Sequence, residues 1–580
     1  MKRLLLLILP FAPPLLAQFT GLAANVDGSI LYFSSPLRLR GSAQSFYSKL
    51  FRLTAASELF RSQDPGDPIG WTFTNFYNLI APRVSTDGSV IAFTGTRPCG
   101  GGSGCIAVQT AQGTVLDRAG NTLLTAIGYV DLSPNGRYAL FFARNTFGSL
   151  ISPAEFVDLA TGVHTAVPYS IGASARHRIA NDGTVALNAG KSIRLWQPQG
   201  EQVISGLSIA DAQSFPEPFL FLSADAQRLV YQTPTGLALY DRAAPGEQPI
   251  VASAPVSAAV SDDARVIAVV NPADSQIYLT APSRQLTQEP DGIAEVALSG
   301  DGSVAFAATT QGRVIRLVTQ THSTSTELIP RTPWITKPPN QQTFIYGVLA
   351  PGSLIPLAGV GLSASTQSAA APLPRSLADV RIRIAGIDAA ILSVSPQLVW
   401  FQIPWEVPVQ AAAVFQFLSG DSQFETGPST VNIQSVAPNI FGAADAADGY
   451  GIYSLAVHED WSGLVTRANP AKGGEVIYLY FNGLGPVTPV VATGDASPSQ
   501  PPSRITGPLR CQFWDGGPND SSILFAGLAP GMVGINQVSL QVPNALRMTN
   551  PGITCDFGRG TPFAVGSTFV APSSPNPTAY

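Results

Sequence analysis

The stretch Ser133-Pro134-Asn135-Gly136-Arg137-Tyr138-Ala139-Leu140-Phe141 decides the fold of the first part of the chain. It joins a tight Asn-Gly turn, which needs positive φ, to an alternating apolar strand, and that combination is a strong β-hairpin signal. The phrase occurs six more times, with its Gly or a replacing Ala at Gly28, Gly88, Gly183, Ala226, Ala264 and Gly302. Intervals of about 38 to 60 residues match the blade of a β-propeller, which holds four short strands.

We therefore predict an all-β fold that begins with a β-propeller over residues 18–328. Seven phrases predict seven blades, and the degraded fifth and sixth turns leave six to eight open. One blade cannot bury both of its faces, so stacking in a ring supplies the core. The acidic residues that recur in the turns are expected to shape those turns rather than bind ligands; they are Asp27, Asp87, Asp182 and Asp301.

The repeated phrase resembles the WD40-like repeats of TolB-type and tricorn-type propellers. Ser133-Pro134-Asn135-Gly136 comes nearest to the family's Ser-Pro-Asp-Gly pattern. The resemblance covers about residues 20 to 328 and implies the fold, because propellers carry many different activities.

A second repeat follows a Pro-rich linker at residues 329–341. Two phrases occur twice in the same order, which indicates a tandem duplication. Short apolar runs divided by Gly and Pro predict two Ig-like β-sandwich domains, at residues 342–440 and 441–580. The paired phrases are Ala350–Leu357 with Lys472–Leu479, and Trp400–Pro404 with Ser539–Pro543.

Five strings in this region resemble the Solibacter-type uncharacterised C-terminal domain of exported acidobacterial proteins. That family has no established activity, so the resemblance implies an exported, multi-domain acidobacterial protein and no mechanism. The strings are Ala350–Ile355, Gln402–Pro408, Ala437–Phe441, Asn482–Pro489 and Phe525–Gly531.

The first residues predict export. Met1-Lys2-Arg3 precedes an apolar run that ends at Ala17, which is typical of a signal peptide over residues 1–17. The run is short and contains three prolines, so it does not suit a membrane span. The mature chain is expected in the periplasm or outside the cell, with no membrane span after cleavage.

Composition excludes several classes of protein. Only 12% of residues are charged, 45% are apolar and the net charge is -5. No basic run is present, so we expect no nucleic-acid partner. The apolar content argues against disorder, and 54 Gly with 49 Pro argue against long helices.

Four cysteines suit an oxidising compartment. Cys99 and Cys105 flank a Gly-rich loop flexible enough to close a small disulfide ring. Cys511 and Cys555 lie in the last domain and are expected to pair. A zinc site has little support because no Cys-x-x-Cys occurs.

The sequence predicts no catalytic, cofactor or metal site. His458-Glu459-Asp460 is expected to form a hairpin turn, since consecutive strand residues point to opposite faces. Asp445–Gly449 and Asp515–Asp520 offer oxygens for Ca²⁺ but are more typical of turns. An exposed Trp could stack on a sugar ring, with Trp400, Trp405, Trp461 and Trp514 as candidates.

The favoured hypothesis is a non-catalytic binding or scaffold protein of unknown ligand, either an extracellular protein or a polysaccharide. The propeller would present an interaction face, and the Ig-like tandem would act as spacer or attachment. One alternative is a polysaccharide-active enzyme with paired carboxylates in the propeller channel, drawn from Glu155, Asp158, Glu217 and Glu295. Another is a component of a TolB-like envelope complex.

Overall fold

The computed structural model describes the chain from residue 20 to 571, with gaps. The described ranges are 20–35, 38–39, 49–54, 59–61, 78–97, 110–117, 122–127, 129–142, 154–169, 178–189, 192–210, 219–280, 283–321, 325–331, 333–335, 348–419, 424–425, 429–444, 452–558 and 563–571. The predicted signal peptide at residues 1–17 lies outside them.

Every regular element in these ranges is a β-strand, which confirms the all-β prediction. Among the described residues, no helix is long and apolar enough to cross a bilayer. The chain divides into two compact units: a first unit up to residue 332, with which 422–425 also group, and a second unit that starts at 333.

Within the described ranges, 28 short strands follow one another in the first unit up to Ile329. They are β1 (Thr20–Ala24), β2 (Ile30–Ser35), β3 (Arg38–Leu39), β4 (Lys49–Thr54), β5 (Leu59–Arg61), β6 (Asn78–Val84), β7 (Val90–Arg97), β8 (Thr110–Asp117), β9 (Thr122–Ile127), β10 (Tyr129–Leu132), β11 (Tyr138–Phe142), β12 (Ala154–Asp158), β13 (Val163–Val167), β14 (Val185–Asn188), β15 (Ser192–Gln197), β16 (Gly200–Ser205), β17 (Leu220–Leu222), β18 (Arg228–Gln232), β19 (Leu237–Asp241), β20 (Ala244–Val251), β21 (Ser257–Val260), β22 (Ile267–Val270), β23 (Ile277–Thr280), β24 (Ser283–Gln285), β25 (Ile293–Leu298), β26 (Val304–Thr309), β27 (Val314–Val318) and β28 (Thr326–Ile329).

Seven antiparallel sheets follow one another along this unit, each built from strands in sequence order. They are β1-β2-β4-β5, β6 to β9, β10 to β13, β14 to β16, β17 to β20, β21 to β24 and β25 to β28. Six hydrophobic cores join each sheet to the next. Strands such as β22 and β26 are buried throughout, because neighbouring sheets cover both of their faces.

All seven predicted turns form, including the two in which Ala replaces Gly. Ala226 and Ala264 adopt φ of 58° and 53°, the same left-handed region as the glycines. The repeated acidic side chain accepts hydrogen bonds inside its own turn, as Asp87 does from Ser89 N at 3.0 Å. This confirms that these carboxylates shape the turns.

Hydrogen bonds link the seven turns into a closed ring. The N–H of Val26 donates to Thr86 O at 2.8 Å, and the pattern continues from turn to turn. Pro134 has no N–H to donate, and there Asn135 bonds Asn181 instead, its N–H donating to Asn181 Oδ1 and its Nδ2 to Asn181 O. The last turn returns to the first turn, so the ring has no free end.

The remaining strands follow in chain order, and all of them belong to the second unit except β38, which groups with the first unit. They are β29 (Trp334–Ile335), β30 (Val348–Leu349), β31 (Leu354–Val360), β32 (Gln367–Ser368), β33 (Val380–Ile384), β34 (Ile387–Asp388), β35 (Ala390–Val394), β36 (Leu398–Gln402), β37 (Gln410–Ser419), β38 (Phe424–Glu425), β39 (Ser429–Ile433), β40 (Asn439–Ile440), β41 (Gly442–Ala444), β42 (Ile452–Ser454), β43 (Ala456–His458), β44 (Val476–Asn482), β45 (Val487–Thr488), β46 (Arg504–Ile505), β47 (Arg510–Trp514), β48 (Pro518–Ser521), β49 (Ile523–Leu528), β50 (Asn536–Gln541), β51 (Gly552–Asp556) and β52 (Phe563–Ser567).

Each half of the second unit packs sheets on a core of its own. In the first half, β29-β31-β36-β35-β32 and β30-β39-β37-β33-β34 share one core that includes Phe401 and Phe415. In the second half, a larger sheet centred on β44 and β50 shares a core with β48-β47-β51-β52. Buried and exposed residues alternate along β37 from Ala413 to Leu418, so one face of this strand packs on the core and the other faces solvent.

Candidate functional site

Buried charged groups connect the first strands of the second and third sheets with the segment that precedes β14 of the fourth sheet. Arg83 on β6 lies 3.2 Å from the Asp131 carboxylate on β10. The other Asp131 oxygen accepts the backbone N–H of Arg178 at 2.9 Å, and the Arg178 guanidinium lies over the Phe142 ring. Arg83 and Asp131 neutralise each other, as buried charges must, and Asp131 also holds the backbone of Arg178, so this carboxylate acts as a clasp between sheets.

Glu295 forms an equivalent clasp between the seventh sheet and the first. It lies on β25, and its two carboxylate oxygens accept the backbone N–H groups of Gly21 and Leu22 at 3.1 Å each. Glu295 is buried. Its carboxylate therefore secures β1, and the ring closes through side chains as well as backbone.

A small cavity lies between first strands of the unit, lined by residues from five of the seven sheets and by Pro134 in the turn of the third. Its volume is about 40 Å³, and Thr86, Asp262 and Gly300 are among its lining residues. The Thr86 hydroxyl donates to Asp262 Oδ2 at 3.1 Å. Burial raises the pKa of the Asp262 carboxyl, while the bond from Thr86 acts in the opposite direction.

The other carboxylates considered for glycoside chemistry are engaged on the third sheet. Glu155 on β12 lies 2.7 Å from His164 Nδ1, and both side chains are exposed. Asp158 accepts two hydrogen bonds from Arg137, which lower the pKa of its carboxyl. Glu217 lies outside the described residues. The structure does not bring two of these described carboxylates to one bond-cleaving site.

His458, Glu459 and Asp460 form the expected hairpin turn. The N–H of Trp461 donates to His458 O at 3.0 Å, and Asp460 Oδ1 accepts Ser462 N at 2.8 Å. The buried His458 ring has its hydrogen-bond partners elsewhere than Glu459 and Asp460. Its Nδ1 is hydrogen-bonded to Glu475, and its Nε2 lies 3.2 Å from Asn469 O. His177 and His322 fall outside the described residues.

The two cysteine pairs have different outcomes. Cys511 and Cys555 face each other across β47 and β51 with their sulfurs at bonding distance, 2.06 Å. Both are fully buried in the core of the second half. Cys99 and Cys105, with the glycines between them, lie outside the described residues.

The described part of the chain holds no group of three or more potential metal ligands from His, Cys, Asp and Glu. Asp515 accepts the backbone N–H groups of Arg547 and Met548. Asp520 binds Arg510 and Gln512. These acids stabilise a hairpin, and Asp445–Gly449 lies outside the described residues.

The tryptophans separate into exposed and buried ones. Trp461 and Trp514 are 55% and 52% exposed, whereas Trp400 is 5% exposed. Trp461 has a left-handed φ of 60° and lies 5.6 Å from the Tyr478 ring. A bulky residue in that region is a genuine outlier, and the two exposed rings remain candidates for stacking.

The strings that resemble a known domain family meet where the two halves of the second unit join. Trp405 covers Gly352 so closely that a Cβ there would lie 2.2 Å from the indole, at a φ of +80°. Gln402 bridges the halves, donating to Gly352 O at 3.1 Å and accepting from Gly494 N at 2.7 Å. Only glycine fits position 352.

Asn482 forms the second latch of this joint. Its Nδ2 donates to Leu354 O at 2.7 Å, and its Oδ1 accepts Leu354 N at 3.2 Å. Asn482 is buried, so no water replaces these bonds. These residues therefore build a joint between the two halves of the second unit, a role that the spacing of the strings alone did not reveal.

An open groove of about 520 Å³ lies beside β33 and the end of β37; we call it the arginine groove. Residues that line it include Arg375, Asp379, Arg381, Asp388, Leu418 and Ser419. Arg381 and Leu418 are opposite each other in the pairing of β33 with β37, and both are exposed.

The arginine groove is lined by two arginines, Arg375 and Arg381, and two acids, Asp379 and Asp388. Arg383, next to the groove, donates to Asp388 Oδ1 at 2.8 Å, and Arg375 donates to Asp388 O at 2.6 Å. The bond from Arg383, together with the charges of Arg381 and Arg375, lowers the pKa of the Asp388 carboxyl. Arg381 makes no ion pair within the described ranges.

Sequence reasoning missed the arginine groove, although part of its signal was visible. The strand Val380-Arg381-Ile382-Arg383-Ile384 alternates strictly, so both arginines share one face. Asp388 follows on the adjoining hairpin strand, in register with Arg383. Arg375 and Leu418 join them only through tertiary structure.

Comparison with known proteins adds little. No family model and no curated protein matches the chain. Solved structures match, among them a chain from the crystal structure of a mitotic checkpoint complex, with 12% identity over 53% of this chain and 89% of that chain, and a TM-score of 0.34. At that score the likeness carries no argument about fold or function.

Proposed function

We propose that the chain is an exported, non-catalytic binding or scaffold protein. The first unit is a seven-bladed β-propeller whose loops present an interaction face. The second unit is a pair of Ig-like sandwiches that serves as spacer or attachment. Export rests on the N-terminal sequence, and kinship with the Solibacter-type domain rests on the quoted strings.

The observation that carries this proposal is the closed ring of seven turns. Seven sheets in sequence order, each sharing a core with the next, and a last turn bonded to the first suit a closed propeller. Such a ring holds its loops on a rigid support, which favours recognition surfaces.

The size of the central cavity weighs against a substrate channel among the described residues. About 40 Å³ accommodates a few water molecules and is far below the roughly 300 Å³ at which ligand pockets begin. The clasping roles of Glu295 and Asp131 support a structural purpose for the buried acids. The enzyme alternative therefore gains no support there.

The test uses the mature protein, from Gln18 onward, with soluble and insoluble polysaccharides, in the presence and absence of Ca²⁺. Retention and released reducing sugars are measured together, and envelope extracts are tested by pull-down. Retention without release, or specific capture of an envelope partner, is expected. Release of sugars would overturn the proposal in favour of an enzyme, and failure of every binding assay would also overturn it.

A further inference from the structure

Trp461 has an unfavourable backbone conformation at the surface of the second unit. Its φ of 60° lies in the left-handed region, where the Cβ of a bulky residue is crowded by its own backbone. The side chain is nevertheless 55% exposed, so burial offsets only part of that cost. Glycine and asparagine adopt this conformation more easily. Strain of this kind concentrates at sites with a function, where the surrounding structure fixes it.

The turn that carries Trp461 holds the indole in place. The N–H of Trp461 donates to His458 O at 3.0 Å, and Asp460 Oδ1 accepts Ser462 N at 2.8 Å. The indole also contacts the Tyr478 ring, with the ring centroids 5.6 Å apart and the planes tilted by 53°. Tyr478 packs on a buried core of the second unit, so the exposed indole rests on a rigid support.

Acidic side chains flank the indole. Glu459 and Asp460, the two residues before Trp461, are both exposed. Burial raises the pKa of Tyr478, and the negative charge of Glu459 adds to that rise, so the Glu459 carboxylate lies within electrostatic range of the ring. The stretch Ala456–Leu464 contains no Lys or Arg. An anionic ligand would therefore be repelled at this turn.

We propose that Trp461 and Tyr478 form a binding platform for a neutral polysaccharide, with Glu459 as the acceptor for its hydroxyl groups. A pyranose ring with equatorial hydroxyls has two apolar C–H faces, and one of them stacks on the exposed indole. Hydroxyls at the edge of the sugar ring donate to the Glu459 carboxylate, and such charge-assisted hydrogen bonds are strong. An apolar contact surface with a few polar groups that fix orientation is typical of ligand sites.

This assignment rests on the proposed binding function and names its site and ligand class. It gives the second unit a direct part in attachment, because the platform belongs to the tandem sandwiches. The acids beside the indole disfavour an acidic polysaccharide. A quaternary ammonium ion also binds to aromatic faces, so choline is included as a competitor.

The experiment is affinity electrophoresis of the mature chain in gels with mixed-linkage β-glucan, xylan or polygalacturonate. The variants are Trp461→Asn, Trp461→Phe and Glu459→Gln. The control is Trp514→Ala, which removes an indole that is 52% exposed on the regular strand β47. Urea denaturation checks folding. Asparagine tolerates the left-handed region, so relief of strain should offset the contact that Trp461→Asn loses with Tyr478.

We expect at least one of the two neutral polysaccharides to retard the wild type and polygalacturonate to have no effect. Trp461→Asn should weaken binding about thirtyfold, the usual loss when the aromatic anchor of a site is removed. Trp461→Phe should retain part of the binding, and Glu459→Gln should weaken it less than Trp461→Asn does. Trp514→Ala should match the wild type, and the urea midpoint of Trp461→Asn should change little.

Four binding results would overturn the inference. They are no retardation by either neutral polysaccharide, wild-type binding by Trp461→Asn, equal loss with Trp514→Ala, and displacement of the polysaccharide by choline. A large fall in the urea midpoint of Trp461→Asn would also overturn it, because the indole would then be retained for stability. If an envelope partner still bound, the proposed binding function would stand without this platform. Release of sugars from the β-glucan would instead remove the proposed function itself.

Discussion

The backbone N–H of Asp301 in the seventh turn donates a 2.9 Å hydrogen bond to the carbonyl oxygen of Val26 in the first turn. This bond joins the two ends of the series of sheets. Beside it, Gly28 of the first turn packs on Val304, the first residue of β26. Residues near the start of the first unit therefore stabilise its last sheet.

Replacing Gly28 by valine tests this closure. Gly28 has φ of +65°, and a Cβ there would lie 2.9 Å from Val304 Cβ. Left-handed strain costs about 1–2 kcal/mol and overpacking about 1–3 kcal/mol. We expect Gly28→Val to lower the free energy of unfolding by about 2–5 kcal/mol, measured by urea denaturation.

Gly162→Val is the matched control. Gly162 has φ of +70°, but a Cβ there would meet nothing within 4 Å. This variant should suffer the left-handed strain alone and lose about 1–2 kcal/mol. Equal losses in the two variants would show that contact with Val304 contributes nothing to closure.

Asp262, which lines the small cavity, should make the free energy of unfolding depend on pH in a defined direction. Burial raises its pKa above the ordinary 3.8. Folding is therefore most favourable below pH 3.8, where the Asp262 carboxyl is protonated in both the folded and the unfolded protein. Stability is lost as pH rises through the pKa of the folded protein and the buried carboxyl ionises. We expect Asp262→Asn to be more stable than the wild type at pH 7, with the difference vanishing near pH 3, measured by urea denaturation across pH.

Asp301→Asn serves as a counterpart with the opposite sign. Burial acts to raise the pKa of Asp301, but hydrogen bonds from Ser299 and Ser303 outweigh it and lower the pKa. Its contribution is present at neutral pH and lost as pH falls through the folded pKa. Asp301→Asn should therefore lower stability at pH 7. A gain with this variant, or a loss with Asp262→Asn, would contradict the assignment.

The turns of the first unit were predictable because their chemistry is local. Asp225 and Asp263 accept N–H groups two residues ahead, and that suffices to form a turn even where Ala264 replaces glycine. The clasps were not predictable: Arg83 and Asp131 are adjacent only through sheet order. The joint of the second unit was not predictable for the same reason, because Asn482 and Leu354 are 128 positions apart in the sequence.

Ala385 offers a stabilising substitution in the second unit. Ala385 and Gly386 have φ of 49° and 83° between the paired residues Ile384 and Ile387. Two consecutive positive φ values are typical of a type I′ turn, for which Asn-Gly is preferred. We expect Ala385→Asn to raise the free energy of unfolding by about 0.5–1 kcal/mol, measured by denaturation. Ala385→Val should lower it, and a loss with Asn would contradict the turn assignment.

The disulfide between Cys511 and Cys555 should stabilise the second unit substantially. It closes a loop with a sequence separation of 44, for which the chain-entropy model gives about 4 kcal/mol. We expect Cys511→Ala with Cys555→Ala to lower the unfolding midpoint of that unit, and the reduced wild type to do the same. The first unit is the internal control, because its transition should stay in place. An unchanged midpoint would indicate that the bond does not form.

The joint of the second unit can be opened at Asn482. Asn482→Ala would leave the backbone carbonyl of Leu354 buried without its partner, at a cost of about 1–3 kcal/mol, whereas the Leu354 N–H keeps its 3.3 Å bond to Gly534 O. Because the halves share this latch, we expect the variant to lose about 1–3 kcal/mol and to unfold in two steps. Calorimetry of the wild type should show one transition for this unit. Gln537→Ala is the control. Gln537 is a partly buried amide on β50 whose side chain bonds within its own strand, so this variant should keep the single transition. A single unaltered transition in Asn482→Ala would mean that the latch does not couple the halves and that apolar contacts alone, such as those of Leu354 with Tyr480 and Ile535, hold them together.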